Sequence, residues 1–362
     1  MAELNWSDAQ WHKVNDAVAE AFSKASVASA FLPMYGPLVG SAETVRNERL
    51  LLKDPQPDAS QLGTISLDTD HPAVNLKLVN LTVNVELSSE QVADETLSNA
   101  LLAFRRAANI LALQEDLVVF SGHHRDFKDK DSKYIANRVG PQQGLADLPT
   151  RYAFPTIIDS KDPKKIGQDV VSQVVAAVGK LEASSNPGPF ACVLGDVLFN
   201  SVHTPSEALV LPADRITPQL KGGPLLRSGM MDVNTGVVVS LAANAVDIVV
   251  GTPPIAQFLQ RQLNAKYLFR VYERFVLRIR DTEDLPVAGF RIDPGGSTLG
   301  KELARLVDLA AEATEGPFRR VLARLDDQAP KGPASRASNL DHDALRRAII
   351  AAAEEIRAKN KP

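Results

Sequence analysis

Two stretches of the chain carry residue types and spacings that could do chemistry. The run from Gly295 to Lys301 fits the G-x-x-x-x-G-K pattern of a phosphate-binding loop. Such a loop needs a hydroxyl after the lysine to bind magnesium, but Glu302 stands there, and its carboxylate would repel the β- and γ-phosphates. The pattern therefore indicates a linker that leads into a helix, with Glu302 favourable in the first helical turn.

The second stretch is the pair His123 and His124. Adjacent histidines on a strand point to opposite faces, and no further histidine lies nearby in sequence to complete three metal ligands. A solvated loop explains the pair better than a metal site does. No serine-containing nucleophile elbow, paired-carboxylate signature or G-x-G-x-x-G run occurs. The sequence therefore predicts no catalytic residue, no metal site and no bound cofactor.

Composition excludes several classes of protein. The 362 residues are 44% hydrophobic, far above the level of a disordered chain, so a sizeable core is expected. The net charge of −4 gives no general attraction to nucleic acid or to anionic membranes. No run reaches the ~20 apolar residues of a membrane span, and residues 1–8 do not resemble a signal peptide. We expect a cytoplasmic protein without disulfides, with its one cysteine, Cys192, in the core.

A long strand predicted from Lys266 to Arg280 is the element around which the chain is organised. Its odd positions are apolar apart from Glu273, and its even positions carry four arginines. This period of two places one face in a core and the other near water or a partner. Upstream, Gly236–Leu241 and Val246–Gly251 are predicted to form a hairpin. A strand of this length usually serves something larger than one compact domain.

Two S-x-x-Q capping boxes predict where helices begin. The first, at Ser7, begins an amphipathic helix that runs to about Ala28, and the second, at Ser88, begins a long helix over 89–115 that ends near Asp116. The other predicted elements are a strand over 76–87, a helix over 165–183, a strand over 190–194, a short helix over 197–201 and helices within 291–362. Together these elements make an α+β fold.

Two segments lack a core of their own. Residues 44–76 predict an extended arm or long hairpin, and residues 122–164, which are polar and interrupted by prolines, predict a solvated loop or flap. An extended arm and a two-faced sheet make sense when neighbouring chains cover them. The arm and the two-faced sheet therefore favour an assembly of many chains.

The order of these elements resembles the linocin-type encapsulin shell proteins. The resemblance is collinear over residues 5–290 and includes the aromatic start of the first helix, the arm, and the strand that feeds the long helix. Its remaining motifs are Phe31–Gly40, Gly188–Leu194, Leu220–Gly223, Gly236–Ser240, Asp247–Gly251 and Tyr267–Arg280. Encapsulins share the HK97 phage capsid fold and assemble into icosahedral compartments that enclose a cargo enzyme. The resemblance thus implies an HK97-like fold, no catalysis by the shell chain, and a homo-oligomer built in multiples of sixty chains.

The resemblance also implies a role for each segment. The implied segments are an N-terminal helix and connector (1–43), an E-loop that reaches a neighbouring subunit (44–76), a peripheral domain with the spine helix (77–121 and 233–290), an axial domain (122–232) and a C-terminal helical extension (291–362). In the family, the N-terminal helix and nearby strands form the groove that receives the cargo's C-terminal targeting peptide. By position, the cargo-binding residues are Phe22, Phe31, Leu32 and Met34, and the residues at the five-fold pore are Val202, His203 and Thr204.

Three departures from the family pattern carry expectations of their own. The segment 122–164 is longer than usual, so the pore or the outer surface is expected to differ. The junction 85–89 lacks the tryptophan that some members use in a flavin site, so no flavin is predicted. The tail 291–362 has no counterpart in the short members and is expected to decorate the exterior or to brace neighbouring subunits.

The implied partners are further copies of the chain and a cargo protein, such as a dye-decolourising peroxidase or a ferritin-like protein, without nucleic acid or membrane. One alternative is a prophage HK97-type major capsid protein, against which the missing N-terminal scaffolding segment argues. An alternative of another class is a small-molecule enzyme that uses the 122–164 loop. Such an enzyme would need a pocket with convergent polar groups, which the sequence does not indicate.

Overall fold

The fold is seen in a computed structural model that describes residues 4–40, 42–53, 64–68, 75–122, 135–138, 144–146, 156–160, 163–205, 210–242, 245–262, 264–280 and 286–294. Its helices are α1 (Asp8–Ala25), α2 (Ser89–Ala93), α3 (Ser98–Ser121), α4 (Pro163–Ala183), α5 (Asp196–Val202) and α6 (Pro212–Ile216), with 3₁₀ turns at Ala28–Ala30 and Thr217–Leu220. Its strands are β1 (Met34–Tyr35), β2 (Thr44–Arg46), β3 (Arg49–Lys53), β4 (Thr64–Asp68), β5 (Asn75–Lys77), β6 (Val79–Leu87), β7 (Ile135–Arg138), β8 (Thr156–Ser160), β9 (Phe190–Leu194), β10 (Leu225–Arg227), β11 (Thr235–Ser240), β12 (Val246–Arg261), β13 (Tyr267–Ile279) and β14 (Val287–Pro294). All of them belong to the compact unit Met1–Gly296. The helices predicted in the tail lie outside the described residues.

The first sheet has the strand order β1-β12-β13-β6-β7 and contains the predicted long strand as β13. β13 pairs antiparallel with β12, from Arg261↔Tyr267 to Val246↔Ile279, and with β6 on its other side. The predicted alternation is confirmed as far as Phe275, since Phe269, Val271 and Phe275 are buried in the main core. It is wrong beyond that point, because Val276 and Arg278 on the other face are buried as well. The side chains of Leu38, Val45 and Leu76 partly cover a small apolar cluster that lies apart from this core.

Helices α1 and α3 pack against the first sheet and against each other. The predicted capping box at Ser7 is present, with the Gln10 amide N–H donating to the serine hydroxyl. The helix buries Val14, Val18 and Phe22 but ends at Ala25, three residues before the predicted end. The residues just before α1 are held against the sheet by Trp6, whose ring stacks 5.0 Å from the ring of Phe269 on β13.

The predicted spine helix 89–115 begins at Ser89 as predicted, but its continuity and its end are wrong. Two helices, α2 and α3, replace it, because Leu97 adopts a left-handed φ of 56° that interrupts the helical path. The carboxylate of Asp94 caps this break and accepts hydrogen bonds from the backbone N–H groups of Thr96 (2.9 Å) and Ser98 (3.2 Å). At its other end, α3 continues to Ser121, because the apolar run 117–120 is buried in the core.

The second sheet has the order β10-β9-β11-β14-β8, and α4, α5 and α6 pack beside it. β9 is buried along its whole length, which places Cys192 in the core as predicted. The predicted hairpin between Gly236–Leu241 and Val246–Gly251 is wrong. β11 instead pairs with β9 and β14, while β12 enters the first sheet. The connection between them therefore crosses from one sheet to the other, and both strands contribute side chains to the main core.

The predicted arm and loop are partly described. In the arm, β3 and β4 pair antiparallel, as do β2 and β5. The prediction of a loop over 122–164 is wrong for two described pieces, because β7 pairs with β6 and β8 pairs with β14. The domain boundaries remain a prediction, although β11, which lies in the predicted peripheral segment, pairs with β9 of the predicted axial segment.

Candidate functional site

The connector that follows α1 carries an exposed apolar edge. β1 is the outermost strand of the first sheet and pairs in parallel with β12, with Met34 opposite Ile248. The backbone N–H of Ile248 donates to the carbonyl of Pro33 at 2.9 Å, which fixes the start of β1. Despite this pairing, Met34 is 52% exposed, Tyr35 53% and Val39 87%. We name these three residues the connector edge.

The backbone of the connector edge is held by features that its sequence requires. Gly36 has a φ of 128°, and a Cβ at this position would lie 2.3 Å from the carbonyl oxygen of Val250, so only glycine fits. The guanidinium of Arg278 lies 5.0 Å from the centre of the Tyr35 ring. Arg278 in turn donates two hydrogen bonds to Asp247, and this ion pair is buried. The edge is therefore exposed but well anchored.

The four residues predicted to bind cargo separate into two groups. Phe22, Phe31 and Leu32 are buried in the main core, where the Phe31 ring stacks 6.3 Å from that of Phe120. They are buried because they continue the apolar stripe of α1 and the turn after it. Met34 is the one of the four whose side chain is exposed. The role of these residues in cargo binding stays a prediction.

Two buried carboxylates on α3 hold the turn that ends α1. The Ser26 hydroxyl donates to Glu115 Oε2 at 2.7 Å. The backbone N–H groups of Val27 and Ala28 donate to the Asp116 carboxylate at 2.9 and 2.8 Å. A short acidic run inside the protein thus satisfies the backbone donors of the turn, as a capping residue would.

A third carboxylate, Glu273 on β13, is buried on the face of the sheet that packs against α3. Its Oε1 has no hydrogen-bond partner, and neither amide atom of the buried Gln114 has one, among the residues that the structure describes. The pattern of β13 marked Glu273 as unusual, whereas Glu115 and Asp116 were missed because they fell at the predicted end of the helix. The apolar run 117–120 that follows them was the signal that they lie inside a buried helix.

Burial dominates the electrostatics of these three groups, which we name the carboxylate seat (Glu115, Asp116 and Glu273). Burial and, less strongly, the charge of Asp116 together raise the pKa of Glu115 to about 8, although the hydrogen bond from Ser26 lowers it. Burial raises the pKa of Asp116 to about 6, opposed by its hydrogen bonds to the turn. Burial, followed by the charges of Glu115 and Asp116, raises the pKa of Glu273 well above its usual range. Burial thus favours the protonated form of all three groups, and it raises the pKa of Glu115 further than that of Asp116.

The predicted pore residues lie at the end of α5. Val202 is fully buried in the hydrophobic core beside the second sheet, whereas His203 and Thr204 are exposed. The His203 ring lies 4.3 Å from that of Phe199, and the Thr204 hydroxyl donates to the carbonyl of Asn200 at 2.8 Å. Two of the three predicted residues therefore present side chains at the surface, and their place at a pore stays a prediction.

The two stretches that first suggested chemistry, around His123 and His124 and around Lys301, lie outside the described residues. Within the described ranges, no group of three or more histidine, cysteine, aspartate or glutamate side chains is arranged to hold a metal ion. None of the described helices combines the length and the apolar character that crossing a membrane requires.

Solved structures with a similar fold include a virus-like particle from Pyrococcus furiosus. This chain superposes on it with a TM-score of 0.52 at 13% identity, covering 78% of this chain and 99% of that one. A structure from Microbacterium phage Oxtober96 gives a TM-score of 0.51 at 14% identity, covering 74% of this chain and 91% of that one. These likenesses confirm the predicted HK97-like α+β fold.

Sequence comparison gives the family. The chain is 25% identical over 287 residues to the type 1 encapsulin shell protein EncA of Myxococcus xanthus (strain DK1622). The alignment covers 77% of this chain and 92% of that protein. Residues 3–128 and 154–276, well over half of the chain, match the family described as encapsulating protein for peroxidase. The gap in this match falls within the segment 122–164 that was expected to be longer than usual. The chain therefore belongs to the encapsulin shell proteins, the family of encapsulating proteins for peroxidase.

Proposed function

We propose that this chain assembles with copies of itself into a closed icosahedral compartment in the cytoplasm and carries out no catalysis. The observation that carries the proposal is the family match over residues 3–128 and 154–276.

The arm supports assembly. Ile65 and Leu67 lie on one face of β4, and they are 71% and 53% exposed. A two-stranded hairpin is marginally stable by itself, and an exposed apolar strand invites pairing with another chain. The base of the arm is fixed, because the backbone N–H of Leu50 donates to the carbonyl of Arg280 at 2.9 Å. We infer that a neighbouring copy covers the exposed apolar face of β4.

The connector edge supports cargo docking. We propose that the apolar C-terminal targeting peptide of a cargo protein adds beside β1, with Met34 and Tyr35 supplying apolar contacts. An extended peptide that joins a sheet edge gains backbone hydrogen bonds as well as side-chain contacts. The family description favours a peroxidase as the cargo, and a ferritin-like protein is the alternative.

The family resemblance also suggests roles for the pore residues and for the C-terminal segment. His203 and Thr204 would lie at the five-fold pore, since both are exposed at the end of α5. The segment 291–362 would decorate the exterior of the shell or brace neighbouring subunits.

Expression of the chain alone tests the assembly. Size-exclusion chromatography and negative-stain microscopy should show uniform, closed particles of megadalton mass. A monomer or dimer would contradict the proposal and reopen the enzyme interpretation. Nuclease-protected DNA inside the particles would favour the phage capsid alternative. Mass spectrometry of particles purified from the cells that naturally produce the chain would then identify the enclosed protein, and a peroxidase is expected.

A further inference from the structure

A groove of about 720 Å³ between α1 and α3 opens to solvent and runs toward the carboxylate seat. Its lining ends at Ala25 on α1 and at Leu113 on α3. Ser26 follows Ala25 directly, and Glu115 lies two residues beyond Leu113. The groove therefore ends beside the 2.7 Å hydrogen bond from the hydroxyl of Ser26 to Glu115, which stands between solvent and the seat.

The segment 26–32, which leads from α1 to the connector edge, is attached to α3. Asp116 accepts two backbone hydrogen bonds from its turn. The ring of Phe31 stacks 6.3 Å from that of Phe120. Ala28, in the middle of the turn, is fully buried, so the turn covers the seat. Any change that separates the turn from α3 thus exposes the seat to water and loosens the approach to the connector edge.

Among the elements that the structure describes, none supplies a cation to the seat. On β6, the apolar Leu81 stands opposite Glu273, and the neighbouring residues 252–255 of β12 include no titratable side chain. The end of α1 and its turn contribute the hydroxyl of Ser26 and backbone N–H groups, while Lys24 forms an ion pair within α1 at the surface. An ionised glutamate in the seat would therefore meet negative charge and find no partner of opposite charge.

We propose that the carboxylate seat is a latch that protons hold closed, and that the turn after α1 opens when Glu115 and Glu273 ionise. A buried carboxyl without a cation is stable as the neutral acid, whereas its ionised form requires water. The groove brings that water to Ser26, and the released proton passes to it. Opening the turn is a local change, because β13 and α3 stay packed in the main core.

The direction of the pH dependence follows from burial. Burial raises the pKa of Glu115 to about 8, and it raises that of Glu273 well above its usual range. Both groups return toward 4.5 when the turn opens, so the closed turn binds more protons and the open turn gains as the pH rises toward 8. Resting on the proposed function, cargo docking at the connector edge weakens over the same range.

Amide hydrogen exchange of the full chain, followed by mass spectrometry, tests the latch. Exchange of residues 26–32 is measured at pH 6, 7 and 8 and corrected for the intrinsic exchange rate at each pH. We expect protection of this segment to fall roughly ten- to hundredfold from pH 6 to pH 8, the effect of one carboxyl that ionises only in the open turn. The reference is α6 (Pro212–Ile216), which packs in the other core and should keep its protection.

Matched variants assign the effect to the seat. Glu115→Gln with Glu273→Gln puts in amides of similar size that cannot ionise, so its turn should be as protected at pH 8 as at pH 6. Glu90→Gln makes the same change at an exposed glutamate of α2 and should keep the loss seen in the wild type. Each single variant of the seat should lose less protection than the wild type, which keeps the test available if the double variant fails to fold.

Protection of the turn that does not change with pH would overturn the proposal, and so would a double variant that loses protection as the wild type does. Equal protection of the turn and the buried strand β9 at pH 8 would also overturn it, since the chain would then open as a whole. Negative-stain images of the same samples report on the shell separately. Particles with an unchanging turn contradict the latch alone, whereas a pH-dependent turn in a chain that forms no particles supports the latch and contradicts the compartment.

Discussion

The two ends of the short segment between α1 and β2 are built in opposite ways. At its beginning, Ser26 and the turn after it are held by the buried carboxylates of Glu115 and Asp116. At its end, the connector edge exposes apolar side chains. A monomeric protein normally hides its apolar groups and exposes its acidic ones. The reversal indicates that one end is fastened within the chain while the other is left for a partner, and each end can be perturbed separately.

The largest expected effect comes from the apolar surface of the arm. Ile65→Glu with Leu67→Glu places two carboxylates where a neighbouring chain would cover apolar side chains, so particles should be lost while the chain stays folded. Size-exclusion chromatography measures assembly, and circular dichroism measures folding. The control is Val175→Glu, another exposed apolar residue but on α4, which should leave the particles intact. Particles formed by the arm variant would show that the exposed face of β4 is not an interface.

Next in size is the loss of the polar fastening. Asp116→Ala removes the acceptor for the backbone N–H groups of Val27 and Ala28, and unsatisfied buried donors cost about 1–3 kcal/mol each. We expect the free energy of unfolding to fall by about 2–6 kcal/mol for the two donors together. The two tryptophans, Trp6 and Trp11, both lie at the N-terminal helix, so their fluorescence in urea follows its release directly.

The matched control for Asp116→Ala is Asp16→Ala, which removes an exposed carboxylate from α1. It should change the free energy of unfolding by less than about 0.5 kcal/mol. If the two variants were equally stable, the carboxylate would not hold the turn.

The third effect is a dependence on pH whose sign follows from burial. Glu115 ionises at about 8 in the folded chain but near 4.5 when unfolded, so the folded state binds more protons between these values. The contribution of Glu115 to the free energy of unfolding should therefore be largest below pH 4.5. It should fall as the pH rises to about 8, by up to ~1.4 kcal/mol per pH unit. Asp116 adds a decline of the same sign between its usual value and about 6.

Glu115→Gln separates the proton of Glu115 from the rest of the titration. The amide oxygen still accepts the hydrogen bond from Ser26, but the side chain cannot ionise. Urea unfolding followed by tryptophan fluorescence at several pH values should show a flatter profile for this variant, which should be more stable than the wild type at pH 8. Identical profiles for the two proteins would show that Glu115 is not protonated in the folded chain.

The sequence predicted what depends on local pattern. The period of two located β13, and the S-x-x-Q spacing located the starts of α1 and α2, because both signals lie within a few neighbouring residues. The collinear order of the motifs predicted the capsid-type fold and the family. Even Glu273 stood out as the one acidic residue on an apolar face.

Long-range pairing could not be predicted in the same way. β11 and β12 looked like a hairpin because they are adjacent in sequence, but they enter different sheets whose partners lie far away along the chain. The exposure of Met34 against the burial of Phe22, Phe31 and Leu32 also depends on how the connector crosses the sheet edge. The left-handed turn at Leu97 breaks a helix that has no glycine or proline to announce it.

The smallest effect on stability should accompany a clear effect on binding. Met34→Glu changes an exposed side chain on an outermost strand, so the free energy of unfolding should change by less than about 0.5 kcal/mol. A carboxylate there would oppose an apolar targeting peptide, so less cargo should be recovered per particle, measured by quantitative mass spectrometry. The control is Leu259→Glu, an exposed apolar residue toward the other end of β12, which should leave cargo recovery unchanged. Equal recovery from Met34→Glu and Leu259→Glu would place cargo docking elsewhere and leave the connector edge for contacts between shell chains.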